Sequence, residues 1–220
     1  RTRTGIHINT LEKAALAESV HELVKSGCRH NIIIRLMGQR EDGSYLQMTF
    51  MPKGGMGATG GRDGWHCTVY PTNCTMIATE VAETLFPIRV ARAMVQDSAG
   101  PGRERGGCGQ VVTITSLSET PLTLGFRPNF IQNPPIGLAD GLAGAPAKVE
   151  VMGKPQDEDP VTLQQGEWVR VFTAGGGGVG NPLERPHHKI MQDIASVIIS
   201  LEHAREHYGG EVSQLADDVV

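Results

Sequence analysis

From Ile88 onward, apolar and polar residues alternate along the chain. The segments IRVARAMV, QVVTITSL, PLTLGF, AKVEVM and EWVRVFT each place every second apolar side chain on one face, the pattern of half-buried strands. Upstream, NIIIRLM and SYLQMTF flank GQREDG, whose Asp42-Gly43 pair suits a turn needing positive φ, so this stretch predicts a β-hairpin. Leu16, Val20, Leu23 and Val24 share one helical face, opened by a capping-box spacing of Asn9 and Glu12 and stopped by Gly27. Near the other end Pro186 suits the first turn of a helix, and Ile190, Ile194, Val197, Ile198 and Leu201 recur at helical spacing. Ser200 caps a second short helix, LEHAREHYG, which Gly209 ends. The expected fold is α+β and β-rich: antiparallel strands, long Gly/Pro-rich loops, and helices near both ends. Residues 1–209 form a single domain in this reading, and EVSQLADDVV, 210–220, a loose tail.

Glycine is where the composition departs from the ordinary. The 220 residues include 28 glycines, well above the usual share of about 7%. They gather in MPKGGMGATGGRDGWH, DSAGPGRERGGCG, RPNFIQNPPIGLADGLAGAP and VFTAGGGGVGNPLERP. No regular element tolerates such density, so these are loops. A formal charge of -4 leaves no basic footprint for nucleic acid and no polybasic membrane signal. No apolar run approaches the ~18 residues that span a bilayer, and no signal-peptide pattern opens the chain. The chain reads as cytoplasmic, with neither nucleic acid nor membrane as partner. Its opening, RTRTGIHINT, lacks a methionine, as a fragment or processed product would. Cys28, Cys67, Cys74 and Cys108 contain no C-x-x-C pair. A hairpin could bring Cys67 to Cys74, but buried, reduced thiols are the simpler reading.

The run Gly175, Gly176, Gly177 and Gly178 admits three readings. Bare N–H groups ahead of a helix can cradle a phosphate, but Asn181 and Pro182 stand where a P-loop needs Lys and Ser/Thr. Close packing of backbone on backbone is the second reading, and a substrate-lining or subunit-contact loop the third. Arg62 and Asp63 form either a local ion pair or part of a substrate site. Arg103 and Arg105 are either solvated or a bidentate clamp for a carboxylate or phosphate. His66 offers a base, an acid or a ligand, against the plainer role of a packed histidine beside Trp65. Asn73 in PTNCT offers an amide to fix a substrate carbonyl. His187 and His188 are adjacent and cannot share a helical face, whereas His203 and His207 have i, i+4 spacing without an H-E-x-x-H pattern. No metal ligands are assigned. Ser-His-Asp spacing, a nucleophile elbow and a carboxylate dyad are all missing from the sequence.

The motifs GGMGATGGRDG, YPTNCT with EVAETLFPIRV, DSAGPGRERGGCG, PPIGLADGLAGAPAK, GEWVRVFTAGGGGVGNPLERP and SLEHAREHYG, in this order, resemble the C-terminal part of the hydantoinase B/5-oxoprolinase family. The resemblance spans roughly 54–209. It implies a B-type partner of an A-type, ATP-binding subunit. Such pairs hydrolyse cyclic amides (hydantoins, 5-oxoproline, lactams), and relatives carboxylate ketones such as acetone and acetophenone. The A-type subunit is taken to phosphorylate the substrate oxygen, with the B-type subunit handling attack by water or inorganic carbon. The family's Asp/His metal motif lies in an N-terminal half that has no counterpart here. ATP and a divalent metal are therefore expected in a partner chain or a missing N-terminal part, none in this chain alone. The expected partners are the A-type subunit, an N-terminal B-type part or second B-type chain, and a small-molecule substrate. Where relatives show G-V-H-x-H-M-T-N-T, this chain keeps His66 and Asn73 but has Thr68 in place of the second histidine. The resemblance implies catalytic roles for His66 and Asn73. The leading expectation is a portion or split subunit of an ATP-dependent cyclic-amide hydrolase, with a ketone carboxylase subunit and a non-catalytic scaffold of such a complex as the alternatives.

Overall fold

The computed structural model describes residues 12, 15–16, 19–20, 23–27, 32–40, 42–68, 75–126, 133–156 and 159–209. Asn9, Asn73, Cys28, Cys74 and the tail at 210–220 lie outside them. Two antiparallel sheets carry the fold. The first runs β2 (Tyr45–Phe50), β1 (Ile34–Gln39), β5 (Leu122–Phe126), β8 (Val161–Leu163) in space. The second runs β3 (Ile88–Met94), β4 (Gln110–Ser116), β9 (Trp168–Phe172), β6 (Lys148–Val151), β7 (Lys154–Pro155). The hairpin of β1 and β2 pairs Ile34 with Phe50 and Gln39 with Tyr45, and its turn holds Gly43 at φ +82°. Asp42 Oδ1 accepts the N–H of Ser44 at 2.8 Å, which fixes the same turn.

Period-two alternation puts the apolar faces inward. Leu36, Phe50 and Leu124 of the first sheet and Val112, Ile114 and Val169 of the second belong to one contiguous core. Side chains of the two inner faces interdigitate there, as in a sandwich. Among the described residues no helix is long and apolar enough to cross a membrane.

The structure departs from the pattern reading at several places. The helix α1 (Thr79–Leu85) buries only Ala82, so its sequence carries almost no apolar stripe. The short strand β7 falls within what reads as a turn-rich linker, GKPQDEDP, and β8 follows directly after it. Glu12, Ala15, Leu16, Ser19 and Val20 are helical, but Leu16 and Leu23 are exposed and only Val24 of that apolar face is buried. Near the C-terminal end, α2 (His187–Ala195) stops before Val197, which sits at φ +57°. The reason is tertiary: Ile198 O accepts Asp97 N–H and Asp97 Oδ1 accepts Ser200 N–H, drawing the chain out of the helix. Ser200 Oγ then caps α3 (Leu201–Tyr208) by accepting His203 N–H at 3.1 Å.

The glycine loops form a second core made of backbone. Gly175 and Gly178 donate to Ala145 O and Leu142 O, Gly176 and Val179 to Gly107 O and Glu104 O, and Gly177 and Gly180 to Gly27 O and Leu138 O. Every third residue thus addresses the same side. That is the threefold geometry of polyproline II, which has no internal hydrogen bonds and must satisfy its peptide groups outward. Side chains have no room. A Cβ on Gly175 would overlap Ser98 O, and one on Gly177 would overlap Ile136 O.

Candidate functional site at the edge of the glycine core

The charged residues of three loops meet at one end of this backbone core. Arg185, just beyond the 3-10 turn at Pro182–Glu184, is buried and holds Asp63 with both terminal nitrogens at 2.8 and 3.0 Å. The same guanidinium reaches Asp193 Oδ2 of α2 at 2.6 Å and the carbonyl of Arg103 at 2.9 Å. Arg105 Nε lies 2.9 Å from the other Asp193 oxygen, and Arg105 donates its backbone N–H to Asp63 Oδ1 at 2.8 Å. Two cations and two carboxylates thereby tie 63–64, 103–106 and 185–193 together. Burial pushes the Asp63 carboxyl up, but the Arg185 hydrogen bonds and charge outweigh it and leave Asp63 below its ordinary value. For Arg185, burial works against the charge, and Asp63 and Asp193 more than restore it. Tyr208 of α3 lies beneath this guanidinium, 6.0 Å from its centre, and burial pushes its phenol up to about 12.

His66 sits beside the network. Its Nδ1 accepts the backbone N–H of Cys108 at 2.9 Å, and Cys67 donates its own N–H to Cys108 O at 2.9 Å. Burial, then the Arg105 charge, holds the imidazole below its ordinary value. Cys67 is half-buried and Cys108 buried, both as free thiols. Burial and the neighbouring Cys108 push the Cys67 thiol up to about 11, and burial also raises Cys108. Trp65 is exposed next to this group.

The sequence-derived candidates fall into distinct settings. Asp63 and Arg105 belong to the ion network. Arg103 is partly exposed, paired with Glu104 at 3.0 Å, and lines a cavity of about 120 Å³ with Asp140 and Glu184. Arg62 is exposed on a tight turn whose backbone pairs with Thr59. Gly175, Gly176, Gly177 and Gly178 are buried, and each N–H already donates to a neighbouring carbonyl, so those groups are not available to a phosphate. Asn73 lies outside the described residues. His203 and His207 stack edge-on with centroids 4.5 Å apart. Among the described residues no group of three His, Cys, Asp or Glu side chains is arranged to hold a metal ion. A larger cleft, about 680 Å³ between the β1–β2 turn, α1 and the β4–β5 turn, contains none of the candidates.

Arg185 and Asp193 are absent from the sequence-derived set. Asp193 carries a readable signal: it falls at i+3 from Ile190, on the apolar stripe of α2, where a carboxylate demands a buried partner. Arg185 carries none: it follows a 3-10 turn outside any periodic segment, and two of its partners, Asp63 and Arg103, lie far away in sequence.

The profile of the hydantoinase B/oxoprolinase family matches residues 1–182. A Pseudomonas sp. (strain NS671) protein, named as the B-type component of a D-/L-hydantoinase, is 29% identical over 91% of this chain and 35% of its own length. The beta component of the Pseudomonas jessenii caprolactamase is 27% identical over 90% of this chain and 37% of its own length. The crystal structure of the ATP-dependent caprolactamase from Pseudomonas jessenii superposes with a TM-score of 0.76 at 22% identity, covering 89% of this chain and 37% of that one. Nucleotide-free acetone carboxylase superposes with a TM-score of 0.69 at 17% identity, covering 88% of this chain and 31% of that one. The chain spans about a third of the length of these relatives. It belongs to the hydantoinase B/oxoprolinase family.

Proposed function

We propose that this chain is a portion or split subunit of an ATP-dependent cyclic-amide hydrolase, acting on a carbonyl that a partner subunit activates by phosphorylation. The observation that carries this reading is the pair of relatives named for amide hydrolysis, a hydantoinase component and a caprolactamase component, each aligned over about nine tenths of this chain. An amide carbonyl is a poor electrophile. Transfer of a phosphoryl group to its oxygen creates a better one, which water can attack. In this reading ATP binds the A-type subunit, and the divalent metal belongs to a further B-type part. The glycine core supports that division, because its N–H groups are spent on backbone and leave no phosphate cradle. The ion network holds the loop that presents His66, and Arg62 stands exposed at the surface, where it can meet an anionic substrate.

Ketone carboxylation is the second reading, favoured by the fold shared with acetone carboxylase. The chain as it is isolated from its source, analysed by native mass spectrometry, tests the assembly. Co-purification with an ATP-binding subunit supports the proposal, and a lone species of 23.6 kDa contradicts it. Turnover then separates the readings: ring opening of hydantoin or caprolactam marks the hydrolase, bicarbonate-dependent consumption of ketone the carboxylase. A complex that forms normally but keeps full turnover without a functional His66 surface leaves this chain as a scaffold.

A further inference from the structure

The His66 ring is held through one nitrogen. Cys108 N–H points at Nδ1, and the adjacent bond from Cys67 N–H to Cys108 O anchors the same two strands of backbone, so peptide groups set the ring orientation. A ring nitrogen that accepts a hydrogen bond carries no proton. In the neutral ring the proton is therefore on Nε2, which makes no hydrogen bond to any described residue. To form an imidazolium, Nδ1 would have to become a donor facing another donor, and the ring would have to leave its seat. The charged groups acting on the ring are Arg105, which opposes a second proton, and Asp193 and Asp63, which favour one. Both carboxylates are already engaged by Arg185 and Arg105. The thiols of Cys67 and Cys108 stay protonated at neutral pH.

We infer that His66 acts through Nε2 as a neutral hydrogen-bond donor to an oxygen of a small carbonyl- or phosphoryl-bearing substrate, and neither as a general base nor as a metal ligand. This assignment rests on the reading that the His66 surface contributes to the reaction. A base or a ligand needs a lone pair facing the substrate or metal, and the one lone pair of this tautomer is occupied by Cys108. A fixed N–H aimed at an oxygen that gains negative charge stabilises the transition state, and a single such donor is worth about 10²–10³ in kcat. The arrangement of Arg105 and Cys108 positions the ring; neither touches the substrate through it.

Two substitutions separate the nitrogens. In H66N the carboxamide oxygen takes the place of Nδ1 and still accepts from Cys108, while nothing replaces Nε2. In H66Q the amide nitrogen reaches the Nε2 position, while the Nδ1 contact is lost. In the assembled enzyme, H66N should keep the thermal midpoint and lose about 10²–10³ in kcat, with H66Q clearly more active than H66N. Wild-type turnover in H66N, or H66Q no better than H66N, overturns the assignment. Independently, ¹⁵N-resolved NMR of the imidazole in the intact chain should show the Nε2–H tautomer at neutral pH. An Nδ1–H tautomer, or titration near ~6.5, overturns it whatever reaction the complex catalyses. Turnover of the unaltered complex judges the proposed function, so the two claims fail separately.

Discussion

Arg185 grips Asp63 with two nearly parallel hydrogen bonds, 2.8 and 3.0 Å long, across 122 positions of sequence. The pair closes the glycine core at the end where His66 is presented. Through Asp193 and Arg105 the same contact reaches both neighbouring loops, so one guanidinium sets the spacing of three segments. The planar fork of Arg suits this; the point charge of Lys does not.

Removing one partner from this network should cost far more than an exposed ion pair would. Asp193→Ala leaves the buried Arg105 side chain without its carboxylate and Arg185 with Asp63 alone, so two buried cations share one carboxylate, and breaking a buried pair in this way costs about 3–5 kcal/mol. Urea titration of the variant should show that loss, and a loss below about 1 kcal/mol would mean the network contributes only as a surface pair does.

The Asp63 carboxyl lies below its unfolded value when folded, so its contribution to stability is fully present above about pH 4. As the pH falls through the depressed folded value, that contribution disappears. Asp63→Asn should therefore flatten the acid limb of the stability profile while lowering stability at neutral pH. Parallel acid limbs in the two proteins would show that Asp63 is not held down by Arg185.

The backbone core makes a sharp distinction among glycines. Gly177→Ala places a methyl group on Ile136 O, where neither side can give, whereas Gly125→Ala in β5 meets nothing closer than 3.6 Å. Overpacking costs about 1–3 kcal/mol and sometimes more, so Gly177→Ala should unfold early or fail to assemble. Gly125→Ala should be neutral or stabilising by up to about 1 kcal/mol. Equal thermal midpoints for both would contradict the packing described.

Both described thiols should be inert at neutral pH. With Cys28 and Cys74 replaced by serine, alkylation of the native chain by iodoacetamide should be slow at neutral pH and accelerate only toward about 11, where Cys67 ionises. Unfolded chain should react through an ordinary thiol near ~8.5. Rapid labelling of native protein at pH 7 would show that Cys67 is not shielded.

Much of this fold was legible in the chain because strand alternation and hairpin turns are local signals. The five segments from Ile88 to Thr173 contain strands β3, β4, β5, β6 and β9, and Asp42-Gly43 makes its turn at positive φ. What was not legible depends on distant partners. The end of α2 follows from contacts with Asp97, about a hundred residues away, and Arg185 has no local pattern that marks it as buried. Leu16 and Leu23 read as a buried stripe yet are exposed, because periodicity records an apolar face without recording what covers it. The tetraglycine announced close backbone approach, but its threefold hydrogen bonding to several loops is a tertiary fact. His66 was visible as a candidate, and the proton on its Nε2 was not, since that depends on Cys108.

The most direct test of the proposed chemistry follows one oxygen atom. The complex is given ATP and a lactam or hydantoin carrying ¹⁸O in the carbonyl to be cleaved, and the inorganic phosphate is analysed by mass spectrometry. Activation of the carbonyl by phosphorylation predicts ¹⁸O in the phosphate released with ring opening. Ring opening with unlabelled phosphate, the label remaining wholly in the ring-opened acid, would contradict it.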